Sequence, residues 1–321
     1  MRVSVCITVF NEEDSIDKLL RSLLMQTKKP DEIVIVDAIS NDKTVSIIKN
    51  YQKRFKNFVL IERKCSRAKG RNIAIKAAKN EVIAMTDSGC VVDKRWLQRI
   101  SKPFEKGKTD IVAGFYIMTT QSAFQKAESV FLGVGDSQFD DKFLPSTRSI
   151  AFRKEAWKKI GGFPEHLIDT AEDTVFNIKA VKAGLLIKRV KQAVVYWETP
   201  VSIEDFYKKV HSYAKGDAES GIFWHPVKRF RTHNLKALFV LIRYVLGLGI
   251  LMFSFINMHL LLLVVVLFFV YFAWSFSKVF KVTGSVKASF WGVLLQFTAD
   301  AAVISGFLDG FVKKKLNIVR K

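Results

Sequence analysis

Cysteine is scarce. Cys6, Cys65 and Cys90 are the three in 321 residues, and they lie far apart with no Cys-x-x-Cys among them. That pattern excludes a disulfide framework and a structural zinc site. The first apolar run, MRVSVCITVF, is too short for a secretory leader and passes straight into a strand-like pattern. The N-terminal part is therefore expected on the cytoplasmic side. There is no internal repeat, no low-complexity segment and no extended linker. Acidic residues are also in deficit: 30 Asp and Glu stand against 51 Lys and Arg, a formal charge of +21. Such an excess suits nucleic acid, anionic lipid or phosphorylated substrates. The apolar tail favours lipid and phosphate, and no nucleic-acid partner is expected.

What is abundant is apolar surface. Hydrophobic residues make up 49% of the chain, with 27 Phe, which excludes disorder. The length fits one large domain or two at ~100–200 residues each. A quarter of the residues are charged, yet the mean hydropathy is +0.14. The two agree only if the apolar residues are concentrated, and residues 235–312 hold long apolar runs.

Residues 3–10 read as a buried strand, followed by Asn11 as a helix N-cap and a helix carrying Ile16, Leu19, Leu20, Leu23 and Leu24 at helical spacing. Glu32–Asp37, Phe58–Ile61 and Val82–Thr86 are further strands. Helices are expected through Val45–Ile48 and over Ala68–Ala78. This alternation predicts an α/β domain with a mostly parallel sheet covered by helices. Further on, Asp110–Met118, Ser149–Phe152 and Ala193–Trp197 are candidate strands. Glu172–Ala183 is a helix with Val175, Ile178 and Val181 on one face, stopped by Gly184.

The tail contains three apolar stretches. Leu235–Ile256 carries two charges, Lys236 at its start and Arg243, and Leu260–Phe276 carries none. About 20 apolar residues cross a bilayer, so both qualify as spans. Ala288–Val312 contains Asp300 and Asp309, which are costly in hydrocarbon. It is expected to lie at the interface or to pack back on the protein. Leading into the first span, Lys208, Lys209, Lys215, Lys228, Arg229, Arg231 and Lys236 interleave with Tyr213, Phe223, Trp224 and Phe230. That composition suits an anionic membrane face.

In an open α/β sheet, ligands sit beyond the carboxyl ends of the strands. Three polar clusters fall there: Thr8–Glu12, Asp37, and Thr86-Asp87-Ser88-Gly89. Two Asp ending two apolar strands suggest a nucleotide at the sheet edge, with a carboxylate near its diphosphate. Mg²⁺ or Mn²⁺, held through one or two carboxylates plus substrate phosphates, would explain Asp87. The basic run Arg63–Asn72 opens a helix and is a candidate anion site, Arg71 foremost because Gly70 would let the backbone approach a ligand. Glu172-Asp173 opens another helix, where two carboxylates also complement the dipole. The loop upstream, GGFPE with Asp169, raises the odds of a functional role.

These motifs stand in order: VFNEE, VDAISNDKT, GRNIAI, MTDSGCVVDKRWL, AFRKEAWKKIGGFPE followed by AEDT, and YAKGDAESG. Over about residues 1–221 the set resembles the inverting family 2 glycosyltransferases of the GT-A fold. The tail is similar to members with C-terminal membrane segments, with Asp300, Gly306, Gly310 and Lys313–Lys315 in their closing pattern. The resemblance implies a GT-A, Rossmann-like domain over residues 1–221, a basic–aromatic interfacial segment over 222–234 and a membrane domain over 235–321. It places Thr8, Phe10, Glu12, Asp37, Arg71, Asp87, Ser88 and Lys215 at the donor. Asp173, with Glu172 beside it, becomes the catalytic base. Asp87 is the first Asp of the family's Asp-x-Asp, but Gly89 stands where the second belongs. A His that often follows the last strand is also missing, leaving Glu198 as a substitute metal ligand. No Gln-x-x-Arg-Trp occurs, so the expectation is a non-processive enzyme.

The function so implied is a membrane-anchored, multi-pass inverting glycosyltransferase with a cytoplasmic catalytic domain. It moves a sugar from a nucleotide-sugar donor to a lipid-linked acceptor, a glycolipid or polyprenyl phosphate, with Mg²⁺ or Mn²⁺, in cell-envelope glycan or glycolipid synthesis. The alternative is a non-catalytic nucleotide-sugar-binding membrane subunit with a decayed GT-A domain, which Gly89 favours. A nucleotidyltransferase would want a Gly-rich basic loop that VFNEED does not supply.

Overall fold

A computed structural model of the chain describes residues 1–319 except 106, 168, 169 and 228, with side chains described through Lys315. Asp169 and Lys228, named above, lie outside the described residues. Two compact units emerge: Met1–Thr119 with Val134–Glu198, and Thr120–Gly133 with Thr199–Lys321. Packing thus divides the chain at Glu198, whereas the motif-based division at 221 follows the reach of the resemblance.

In chain order the first unit contains β1 (Val3–Val9), α1 (Ile16–Leu24), β2 (Glu32–Asp37), α2 (Thr44–Gln52), β3 (Phe58–Glu62), α3 (Arg67–Ala77), β4 (Val82–Met85), β5 (Cys90–Val92), α4 (Trp96–Ser101) and β6 (Ile111–Thr119). After α5 (Ala123–Leu132), which belongs to the second unit, come β7 (Ile150–Arg153), α6 (Lys154–Lys159), α7 (Glu172–Lys182) and β8 (Ile187–Glu198). The strands form one sheet in the order β3-β2-β1-β4-β7-β6-β8-β5. β1, β2 and β4 are buried and mostly apolar, as strands covered on both faces tend to be; the exceptions include Ser4, which donates to Glu32 at 2.6 Å, and Asp37 at the end of β2. The β3-β2-β1-β4 half is parallel. Beyond it the sheet is mixed: β7 runs antiparallel to β4 and β6, β5 antiparallel to β8, and β6 parallel to β8.

Two local expectations are corrected. Asn11 is not a helix cap: α1 starts at Ile16, and Asn11 sits in the left-handed region at φ 52°. Its Oδ1 accepts from the Asn41 N–H at 3.0 Å and its own N–H donates to Ser40 Oγ at 2.9 Å, so it staples the loops after β1 and β2 together. On α7 the buried face is Phe176, Asn177, Ile178 and Ala180 rather than Val175, Ile178 and Val181. On that face Phe176 stacks on Phe163 with ring centres 4.4 Å apart. Gly184, at φ +69°, does end the helical segment, its N–H donating to the Val181 carbonyl.

The second unit is helical: α5, α8 (Ile203–Ser220), α9 (His233–Ser254), α10 (Met258–Thr283) and α11 (Val286–Val319). Three of these, α9, α10 and α11 as far as Lys315, are long and apolar enough to cross a membrane. α9 and α10 are almost wholly exposed, with Phe255, Ile256 and Met258 at their turn between 76% and 87% exposed. α11 is half buried. It meets α10 through Phe290–Phe276 and Gln296–Lys278, and α9 through Phe307–Ala237. Its Gly306 and Gly310 face α8, where an added Cβ would clash with the carbonyl oxygens of His211 and Lys215. Small residues at that spacing let helix backbones approach.

Candidate functional site

Glycine opens the way into the site. Gly70 is buried in α3, and a Cβ there would stand 2.9 Å from the Thr8 methyl. The glycine brings the helix onto β1, rather than backbone onto a ligand as the sequence suggested. One residue on, Arg71 is 2% exposed. Its Nη1 pairs with Glu172, while its Nη2 donates to Asp87 Oδ1 at 2.9 Å and to Thr147 Oγ1 at 2.8 Å. Arg71, Asp87 and Glu172, each singled out separately in the sequence, are thus one buried network. Its guanidinium thus joins acceptors from three parts of the chain, and Arg71 organises the carboxylates of the site.

Sheet topology explains the meeting. β4 ends at Met85 and β7 begins opposite it at Ile150, in antiparallel register. The residues just before β7, Thr147 and Arg148, therefore lie beside Asp87. Neither was singled out in the sequence. The available signal was a Thr-Arg pair leading into an apolar strand, but its meaning depends on a pairing that no local pattern announces.

Asp173 follows Glu172 at the start of α7, and its Oδ1 accepts from the Thr174 N–H at 2.7 Å. Burial first, and then the neighbouring Glu172 charge, push its carboxyl up to about 6, against the opposing pull of Arg71 and Arg148. Asp87 behaves oppositely: burial pushes it up, but Arg71, Arg148 and Arg67 together hold it below the usual carboxylate range. Two carboxyls with environments that separate their proton affinities are suited to different tasks.

The remaining expected residues spread along the strand ends. Asp37 is fully buried and accepts from Ser40 through both oxygens, at 2.8 Å from the N–H and 2.6 Å from the hydroxyl. Glu12 binds the Ser15 hydroxyl, and its own N–H donates to Thr44 Oγ1 at 2.7 Å. Ser88 is buried, Thr8 half-buried, and Phe10 is 56% exposed. Lys215 belongs to the second unit. Of the non-glycine residues in the left-handed region, Asn11, Ile39 and Ala171 sit after β1, after β2 and before α7. A β-branched Ile39 at φ 68° is an outlier of the kind that clusters at functional sites.

The residues do not assemble a metal centre of their own. Among the described residues no group of three His, Cys, Asp or Glu side chains could hold an ion. Asp87 is engaged by Arg71, and Glu198 is an exposed partner of Lys18 at 2.6 Å rather than a companion of Asp87. Gly89 supplies no ligand, and a Cβ there would meet nothing within 4 Å.

Residues 4–161 match the family model described as glycosyl transferase family 2. The chain is 37% identical over 119 residues to a poly(ribitol-phosphate) beta-glucosyltransferase of Bacillus spizizenii, covering 36% of this chain and 19% of that protein. It is 26% identical to the uncharacterized glycosyltransferase EpsJ of Bacillus subtilis, covering 63% of each, so the chain spans less than two thirds of the length of either relative. Among solved structures, the mannosyltransferase PcManGT of Pyrobaculum calidifontis, in complex with GDP-Man and Mn²⁺, shares the fold at TM-score 0.70 and 16% identity, over 98% of this chain and 88% of that one. TarS 1–349 of S. aureus in complex with UDP-GlcNAc does so at TM-score 0.53 and 23% identity, over 99% and 92%.

Proposed function

Because residues 4–161 make this chain a member of glycosyl transferase family 2, we propose that it transfers one sugar per encounter from a nucleotide-sugar donor, with inversion, to a lipid-linked acceptor at the cytoplasmic membrane face. The observation that carries the reading is the buried Arg71 joined to both Asp87 and Glu172, with Asp173 beside them. Asp173 removes the proton from an acceptor hydroxyl, which attacks the anomeric carbon as the nucleoside diphosphate leaves. A positioned base is worth ~10²–10⁴-fold. Asp37, Thr8, Phe10, Glu12 and Ser88 form the nucleotide side of the site, at the ends of β1, β2 and β4.

A divalent cation, the expectation for this fold, would rest on Asp87 and the donor's own phosphates, and no step is derived through it. The lipid-linked acceptor is supported by the exposed apolar α9 and α10 and by the basic–aromatic stretch from Tyr213 to Lys236. Cell-envelope glycan or glycolipid synthesis is the corresponding setting.

The test incubates detergent-solubilised protein with UDP-, GDP- and dTDP-sugars and measures nucleoside diphosphate release with and without lipid acceptor. Labelled sugar in an organic-extractable product supports the reading. Mild acid then separates a sugar–phosphate–polyprenol, cleaved fast, from a glycolipid, cleaved slowly. Label confined to water-soluble product overturns the lipid acceptor. No release from any donor favours a non-catalytic binding subunit.

A further inference from the structure

α3, α6 and α7, all in the first unit, border a cavity of about 520 Å³. Small-molecule sites typically run to ~300–1,000 Å³. None of the residues expected at the donor lines it. At ~1.5 Å per residue, Lys76 stands ~7.5 Å along α3 from Arg71, and Lys179 ~9 Å along α7 from Asp173. The cavity is therefore separate from the site at the strand ends.

Its floor is fixed from within. Asn72 is 5% exposed, and its side chain is fully engaged. Nδ2 donates to the Phe163 carbonyl at 2.8 Å and to Glu165 at 2.9 Å, and Oδ1 accepts from Trp157 Nε1 and from the Phe163 N–H, both at 3.0 Å. Gly162, at φ +67°, closes over this framework, where a Cβ would stand 2.9 Å from Asn72 Oδ1 and 2.8 Å from Trp157 Nε1. The shape of the cavity is thus held by buried hydrogen bonds.

The charge around that floor is one-sided. Lys76 comes from α3, Lys158 from α6 and Lys179 from α7. Among the described residues none of the three ammonium groups has an ion pair or a hydrogen bond. Elsewhere on the same unit Lys49 pairs with Glu62 and Lys191 with Asp136. The carboxylate on the lining, Glu165, is held by Asn72. Gathering like charges without a counter-charge opposes the compact state, and a bound polyanion removes that opposition.

We propose that this cavity is a second anion site, which binds a soluble small molecule carrying two or more phosphate groups between Lys76, Lys158 and Lys179. An ammonium group binds phosphate as a point charge and imposes no fixed fork. Selection here is accordingly by number of charges, and three cations from three helices match several phosphates better than one. The site stands apart from the glycosyltransferase reading, because no residue of that reading lines it.

The experiment titrates tripolyphosphate into the detergent-solubilised full chain in excess EDTA, by calorimetry, with thermal melts alongside. Wild type is expected to bind it and to melt higher in its presence. Exposed charges contribute modestly one at a time, so Lys76→Gln, Lys158→Gln and Lys179→Gln are combined. The combined variant should weaken one binding equivalent per chain by more than about fivefold, lose the ligand-induced rise in the melt, and melt without ligand no lower than wild type, since no ion pair is removed. Arginine at the same three positions should bind within about fivefold of wild type. If the glutamine variant does not melt cooperatively, Lys158→Glu alone takes its place, with the same fivefold threshold. Three results overturn the proposal: no binding by wild type, a folded glutamine variant that keeps every equivalent within fivefold, or an arginine variant that loses as much as the glutamine one. Inorganic phosphate and short-chain phosphatidylglycerol, each with one phosphate, are run as competitors. Both should compete more than about fivefold less well than tripolyphosphate. Equal competition by phosphate overturns selection for several phosphates, and equal competition by the lipid assigns the cavity to a headgroup and overturns the soluble ligand.

Discussion

Arg71 Nη2 stands 2.9 Å from Asp87 Oδ1, a contact between the first turns of α3 and the loop after β4, and the same guanidinium reaches Glu172 at the head of α7. One cation therefore sets the spacing of carboxylates from two different parts of the chain. Removing one partner of a buried pair leaves an uncompensated charge, typically at 3–5 kcal/mol. Arg71→Met should accordingly melt well below wild type, and Arg71→Lys should recover part of the loss, since one ammonium cannot fork between two acids. Thermal melts of the two variants check this. A melt of Arg71→Met equal to wild type would mean that the network does not hold the site together.

Asp173 gives a pH signature. Its carboxyl is raised to about 6, by burial first and by Glu172 second. A base must be ionised to act, so the transfer rate should fall as pH drops through about 6 and level off above it. Asp173→Asn should retain donor binding while losing ~10²-fold or more in turnover. The stability sign runs the other way. The raised value favours the protonated form in the folded state, so stability is greatest at low pH and declines as pH rises through about 6. Asp173→Asn should therefore melt higher than wild type at pH 8 and not at pH 4. Paired melts at the two pH values decide it.

Legibility in the sequence follows the range of the interactions. The β3-β2-β1-β4 half was readable because each strand is a short, largely apolar run, and Glu32–Asp37 emerged with its observed bounds. β7 was readable as a strand, but not its antiparallel placement between β4 and β6, which only tertiary packing decides. β5 has three residues and no periodicity to detect. At the site, the carboxylates stood out because acids at strand and helix ends are conspicuous. Thr147 and Arg148 did not, because their nearness to Asp87 is a product of that antiparallel pairing. Arg71 was singled out for a ligand contact, but its burial and its links to Asp87 and Glu172 could not be read from the sequence.

Glu128, in α5, is fully buried, and neither carboxyl oxygen has a partner among the described residues. Burial, opposed by Lys209, pushes it up to about 8. Protonated, it is tolerated; ionised, it is not. The folded value lies above the unfolded one, so its stabilising effect is complete at acid pH and is lost as pH rises through about 8. Glu128→Gln should leave the melt unchanged near pH 4 and raise it at pH 9, by ~2–4 °C for each kcal/mol in a domain of this size. An equal shift at both pH values would remove titration of Glu128 as the cause.

Arg243, midway along α9, donates to Asp300 of α11 at 2.7 Å, and Tyr244, Tyr271 and Gln296 also donate to that carboxylate. Asp300 is 3% exposed, so its charge faces protein. Asp309, by contrast, is mostly exposed and meets His211 of α8. α11 thus crosses the half of the α9–α10 hairpin nearest His233 and Thr283, and the exposed tip continues ~16 Å beyond Arg243 at 1.5 Å per residue. Two predictions come from this pair. Arg243→Leu or Asp300→Leu alone should cost ~3–5 kcal/mol, while the two together should recover most of it, because no unpaired charge is left in apolar surroundings. The second is topological: with basic Lys313–Lys315 following, the end of α11 is expected on the cytoplasmic side, as the positive-inside rule prefers. Cysteine labelling in a Cys65→Ser background tests it, since Cys6 and Cys90 are buried. Lys315→Cys should react with an impermeant maleimide only after cells are opened. Reaction in intact cells would put α11 through the bilayer and overturn its placement across the base of the hairpin.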